Sequence, residues 1–166
     1  NLSVSGATTT LAVQDQLPKL AKYRPDVMTV SIGANDIAKW DPEAFEANLR
    51  AILDAVPPHA LVADLPFFYF PHNERKVAVA NDILRRLLAE RGMTLVRLHR
   101  ETRLSGFRRI FTHFANDWFH PNDHGYRVWA DAFRPAVLAS LERRFPTKND
   151  VTDAAAGFPA DVGGRA

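Results

Sequence analysis

The stretch Val27-Met28-Thr29-Val30-Ser31-Ile32-Gly33-Ala34-Asn35-Asp36 decides the fold class. A short β-branched run stopped by a glycine turn has the length of a strand buried on both faces, the pattern of a parallel sheet covered by helices. The alternation continues on either side of it. Upstream, Asn1-Leu2-Ser3-Val4-Ser5-Gly6 reads as the end of a strand entering a turn, and Thr8, Thr9 and Thr10 can cap a helix reaching about Tyr23, where Arg24-Pro25-Asp26 breaks it. Downstream, Asp41-Pro42-Glu43 starts a helix to about Ala55 with Phe45, Leu49, Ile52 and Val56 on one face, and Pro57-Pro58 stops it.

Residues 60–65 form a third apolar run, closed by Pro66 and followed by the aromatics Phe67, Phe68, Tyr69 and Phe70. A helix over about 73–90 follows, with Val77, Ala80, Leu84, Leu87 and Leu88 at helical spacing and a stop at Arg91-Gly92. Residues 94–98 read as the fourth strand and 99–116 as a long Arg-rich loop, ahead of a last helix over about 122–144. Strands alternating with helices predict a parallel sheet with helices on both faces, whose ligands gather at the carboxyl ends of the strands. One domain over 1–145 is expected, with 146–166, which has no periodicity, as a mobile tail.

The 166 residues are 46% hydrophobic and 24% charged, the balance of a soluble domain with its own core. No run of about 18 apolar residues occurs, so no stable membrane insertion is expected. A net charge of +2 is too small to argue for nucleic acid, and the absence of cysteine excludes disulfides and thiolate metal sites. The chain opens at Asn1 without Met and without signal-peptide order, which leaves cytoplasmic and secreted settings, and the oligomeric state, open.

The chemistry concentrates in Asp117-Trp118-Phe119-His120-Pro121-Asn122-Asp123-His124-Gly125-Tyr126. A carboxylate three positions before an imidazole can accept its Nδ1 proton, fix the tautomer and stabilise the imidazolium that forms when Nε2 takes a proton. Pro121 confines His120 to extended backbone angles at a corner leading into a helix. Such a general-base pair waits for a nucleophile and for donors aimed at an oxyanion. Gly6 can offer an unhindered backbone N–H, and Asn35 a carboxamide N–H at the end of its strand.

Together, Asn1-Leu2-Ser3-Val4-Ser5-Gly6-Ala7-Thr8, Gly33-Ala34-Asn35-Asp36 and Asp117-Trp118-Phe119-His120-Pro121 resemble the second, third and fifth sequence blocks of the SGNH, or GDSL-type, esterases and lipases. The resemblance spans about 1–141. It implies a flavodoxin-like three-layer α/β/α sandwich, a serine-dependent carboxylic ester hydrolase working through an acyl-enzyme, and no metal or organic cofactor. It places Gly6 and Asn35 in the oxyanion hole and makes Asp117 and His120 the two later triad members. It also implies a small-molecule or lipid ester as substrate.

The departure from the family pattern lies at the start. The Gly-Asp-Ser block that carries the nucleophile is absent, and Ser3, Ser5, Ser31 and Ser105 lie outside any such context. The expectation is a fragment beginning after that block and lacking the first strand. In the order 2-1-3-4-5 that strand lies between the one ending near Val4 and the one over 27–32, so the polypeptide alone is expected to be poorly stable and to hydrolyse esters negligibly. The alternative is a noncatalytic acyl- or carbohydrate-binding member of the fold.

Other readings compete for the same residues. His113, Asp117, His120 and His124 are ligand types suited to zinc, but Pro121 interrupts the helical spacing such a site needs. Phe67, Phe68, Trp40, Trp118 and Phe119 can line an acyl pocket or pack in the core. Arg97, Arg100, Arg103, Arg108 and Arg109 read as a solvated loop rather than an anion site.

Overall fold

The computed structural model describes residues 1–68, 70–103, 110–117 and 119–146. Its centre is a parallel sheet of three short strands, β1 (Thr29–Val30), β2 (Leu61–Ala63) and β3 (Thr94–Val96), in that spatial order. Thr29 pairs with Leu61, which in turn pairs with Thr94, so the strands run in register. β2 is wholly buried and its side chains alternate. Val62 points into a core with Phe45, Leu49, Ile52, Leu84 and Leu88, while Leu61 and Ala63 point to the other side with Val96 and Leu98. The period of two therefore feeds two separate cores from one strand.

The first core is covered by α3 (Pro42–Ala55) and α4 (Pro71–Arg91). Asp41 caps α3 by accepting the Glu43 and Ala44 N–H groups, and the left-handed Gly92 ends α4. The second core is covered by α7 (Asp123–Arg144), which lays Trp129, Ala132, Phe133, Ala136 and Val137 on the sheet. Helix, sheet, helix is the three-layer sandwich expected from the alternation. No helix among the described residues is long and apolar enough to cross a membrane.

Three local expectations are corrected. Residues 1–4 do not form a strand: among the described residues nothing pairs with them, and an extended segment without a neighbour has no ladder. The helix after Thr8 is built in three pieces, α1 (Thr9–Leu11), a π turn (Ala12–Gln16) and α2 (Leu17–Leu20). Pro18 has no N–H for an i→i−4 bond, and the turn before it widens so that Leu17 N–H reaches Ala12 O.

The span 99–116, expected to be irregular, holds α5 (Leu98–Arg103) and α6 (Ile110–His113). The buried Asp64 carboxylate accepts the His99 N–H at 2.7 Å, so α5 takes a cap from the end of β2, 35 residues away. The 147–166 part of the expected tail lies outside the described residues.

Candidate active site

Asp117 and His120 meet. The Nδ1 of His120 lies 2.6 Å from Asp117 Oδ2, while Asp117 Oδ1 accepts the backbone N–H groups of Phe119 at 3.0 Å and His120 at 2.9 Å. The His120 ring N–H and these two backbone donors hold the Asp117 carboxyl down from 3.8 to about 2. With Nδ1–H given to a carboxylate, Nε2 is the acceptor nitrogen of the neutral ring. Both side chains are about half exposed, 51% for Asp117 and 54% for His120, so the ring is open to an incoming group.

The corner that holds His120 is tied on both sides. Its carbonyl accepts Ala115 N–H at 2.8 Å, and Pro121 bridges antiparallel to Phe114. Asn122 then caps α7, accepting His124 N–H at 3.0 Å and Gly125 N–H at 3.2 Å. Its own carboxamide donates to Thr112 O and Phe114 O, and its backbone N–H donates to His113 O. One side chain thus starts the helix and pins the preceding segment to it. Gly125 completes the junction, because a Cβ there would sit 2.4 Å from His113 O.

On the other side of the hollow, Gly6 occupies the third position of a turn closed by Ala7 N–H to Val4 O, with φ of 76°, a conformation that glycine adopts without steric cost. Asn35 stands in the first turn of a 3-10 helix (Ala34–Lys39) and donates from Nδ2 to Ala7 O at 2.9 Å. A carboxamide nitrogen carries two N–H groups, so one remains for a ligand. Asp36 accepts the Thr9 N–H and hydroxyl, which stitches the two loops together. The neighbouring Asn48 donates to the Thr9 and Thr10 hydroxyls. Asp36, Asn48, Asn122 and Gly125 thus frame the site without belonging to its chemistry. Their partners are distant in sequence, and only Asn122, at the start of the last helix, carries a local signal.

Gly6, Asn35, Phe68, Phe119 and His120 line one cavity of about 760 Å³, which also runs along β1. Phe68 and Phe119 pack ring to ring at 5.5 Å, and Phe119 meets the His120 ring edge-on at 5.0 Å. Two of the other aromatics considered for a pocket go elsewhere. Trp40 packs on Phe45 at 5.0 Å beside the first core, and Phe67 meets the His99 ring at 5.7 Å with Arg103 above it; neither lines the cavity. Trp118, Ser105, Arg108 and Arg109 lie outside the described residues. Of the zinc-type residues, the His113 and His124 rings meet at a tilt with centroids 6.0 Å apart while Asp117 and His120 pair with each other; no three ligating side chains converge among the described residues.

Residues 1–128 match the GDSL-like lipase/acylhydrolase family. No curated protein sequence matches the chain significantly. Among solved structures, the chain is similar to an α/β hydrolase enzyme from the metagenome of Lake Arreo, with 24% identity and a TM-score of 0.63 over 80% of this chain and 68% of that one. It is also similar to a lipase/acylhydrolase from Enterococcus faecalis, at 14% identity and TM-score 0.69 over 84% and 72% of the two chains. An acetyl xylan esterase from Geobacillus stearothermophilus gives 18% identity and TM-score 0.64 over 80% and 69%. At these identities the structural likeness speaks for the fold.

Proposed function

Because the chain belongs to the GDSL-like lipase/acylhydrolase family, we propose that it carries the base, the orienting carboxylate and two oxyanion donors of a serine-dependent carboxylic ester hydrolase. The observation that carries this reading is the convergence of His120, itself paired with Asp117, with Gly6 and Asn35 on one cavity. No Gly-Asp-Ser sequence occurs in the 166 residues, and the nucleophilic serine on this reading is not among them. Residues 1–166 alone would then turn over esters negligibly.

The reaction runs in two halves. The serine hydroxyl attacks the acyl carbon as its proton passes to His120 Nε2, and the Asp117 carboxylate, bonded to Nδ1, stabilises the imidazolium. The carbonyl oxygen becomes an oxyanion facing the Gly6 N–H and the Asn35 N–H not used by Ala7 O. Collapse of the tetrahedral species breaks the ester C–O bond, and His120 returns the proton to the leaving alcohol. Water, deprotonated by the same imidazole, then attacks the acyl-enzyme; the second collapse releases the acid and the serine.

Replacement of the base in the full-length protein tests this. His120→Ala should lower kcat for p-nitrophenyl acetate by about 100-fold or more, since a positioned general base supplies about 10²–10⁴. Wild-type turnover in that variant would sink the reading. Tight acyl binding by the unmutated protein with no turnover would assign the fold to ligand binding instead.

A further inference from the structure

The segment leaving β2 carries Phe68, and side chains from the helices hold it almost entirely. Leu65 is gripped twice by the buried Asn81, whose Oδ1 accepts its N–H at 2.7 Å and whose Nδ2 donates to its carbonyl at 3.2 Å. Pro66 has no N–H to hold. Phe67 N–H donates to Thr102 Oγ1 at 2.9 Å, and Phe68 N–H donates to Glu74 Oε1. Glu74 and Asn81 stand seven residues apart on α4, two turns, so one helix face supplies both grips. The second oxygen of Glu74 lies 3.1 Å from His99 Nε2, and His99 is in turn fixed through its backbone N–H to Asp64.

This arrangement does more than satisfy a backbone donor. Among the described residues the grip on Phe68 N–H is the last before α4 begins, and it fixes the backbone from which the buried Phe68 ring enters the edge of the first core. That ring packs on Phe119, and Phe119 packs on His120. All three face the cavity that also holds Gly6 and Asn35. An acyl chain extending from a carbonyl beside His120 would meet this aromatic pair.

We propose that Glu74, by holding the Phe68 amide, seats the Phe68–Phe119 wall and thereby acts as a positioning residue that sets the preference for longer acyl groups. The proposal rests on the reading of His120 as the base. A short acetyl group has nothing to place against the wall, whereas a medium-length chain gains its affinity there by burying apolar surface. Loss of the grip should therefore act on KM for long esters and leave chemistry on short ones alone.

The test uses the full-length protein with p-nitrophenyl acetate and p-nitrophenyl octanoate. Glu74→Ala should keep kcat and KM for the acetate within about threefold and raise KM for the octanoate by about tenfold, the scale of one lost net hydrogen bond. Glu74→Gln should restore the octanoate KM, because its amide oxygen still accepts the Phe68 N–H. Equal losses on both esters that Gln does not rescue would overturn the proposal, as would no change at all. Amide hydrogen exchange gives a readout free of activity: the Phe68 N–H should exchange at least about tenfold faster in Glu74→Ala and near the parent rate in Glu74→Gln. Unchanged exchange overturns the proposal even if no ester is turned over. Failure of the base assignment shows separately, as undiminished acetate turnover in His120→Ala.

Discussion

Gly125→Ala puts a single methyl group at the junction that holds His120. The added Cβ would lie 2.4 Å from His113 O and 2.7 Å from Pro121 Cβ. Carbon and carbonyl oxygen come to rest no closer than about 3.3 Å, so the His113 carbonyl must retreat by about 0.9 Å. That same carbonyl accepts the Asn122 N–H at 2.9 Å. Retreat of that size takes the pair to about 3.8 Å, beyond hydrogen-bond range. The neighbouring bond from Asn122 Nδ2 to Thr112 O, 3.0 Å long, lies in the same short segment and shares the displacement.

One to two bonds at about 1 kcal/mol each, with the crowding of Pro121 added, give a loss of about 2–3 kcal/mol. For a chain of this size that is a fall of about 5–10 °C in Tm, read by calorimetry on the full-length protein. Gly6→Ala is the matched control. Nothing lies within 4 Å of its added Cβ, so only the positive φ of 76° costs stability, about 1–2 kcal/mol. A Gly125→Ala protein melting within about 1 °C of the parent would refute the packing argument, because the clash is with backbone and cannot be relieved by a side-chain rotation.

Two further outcomes follow from the site itself. The Asp117 carboxyl is held below its ordinary value by the His120 ring and by two backbone N–H groups, so its contribution is complete above the unfolded value of about 3.8 and is lost as pH falls through about 2. An NMR titration of its side-chain carbon should show a midpoint near 2, and a midpoint at or above 3.8 would contradict the observed bonding. Asn35→Ala in the full-length protein should lower kcat by about 100-fold or more while KM changes little, as expected for a donor that strengthens only against an oxyanion; an unchanged kcat removes Asn35 from that role.

The parts of this fold legible in sequence are those whose causes are local. The buried face of Phe45, Leu49 and Ile52 and the glycine stop at Gly92 each carry their own signal and are found in place. The β-branched run over 27–32 does give a strand, but only Thr29–Val30 is laddered and Thr29 is exposed rather than buried, because β1 is the edge of the three-stranded sheet. The contact of Asp117 with His120 is of this kind too, since a spacing of three brings the carboxylate to the ring and to the Phe119 and His120 backbone donors.

What was not legible depends on distant partners. Residues 1–4 have the composition of a strand, but a strand is defined by its neighbour, and none is present among the described residues. α5 looked irregular because its capping carboxylate, Asp64, belongs to another element. Glu74 lies in the first turn of α4 and Gly125 in the first turn of α7, and no local pattern marks either as a clamp. Their reasons lie six and twelve residues away, in the Phe68 amide and the His113 carbonyl. The imidazole of His120 is half exposed and lightly packed, so its position has to be set by the rigidity of what surrounds it. That places the precision of the site in the caps and clamps around His120, and it makes those positions, rather than the imidazole alone, the ones whose loss should blur specificity before it abolishes turnover.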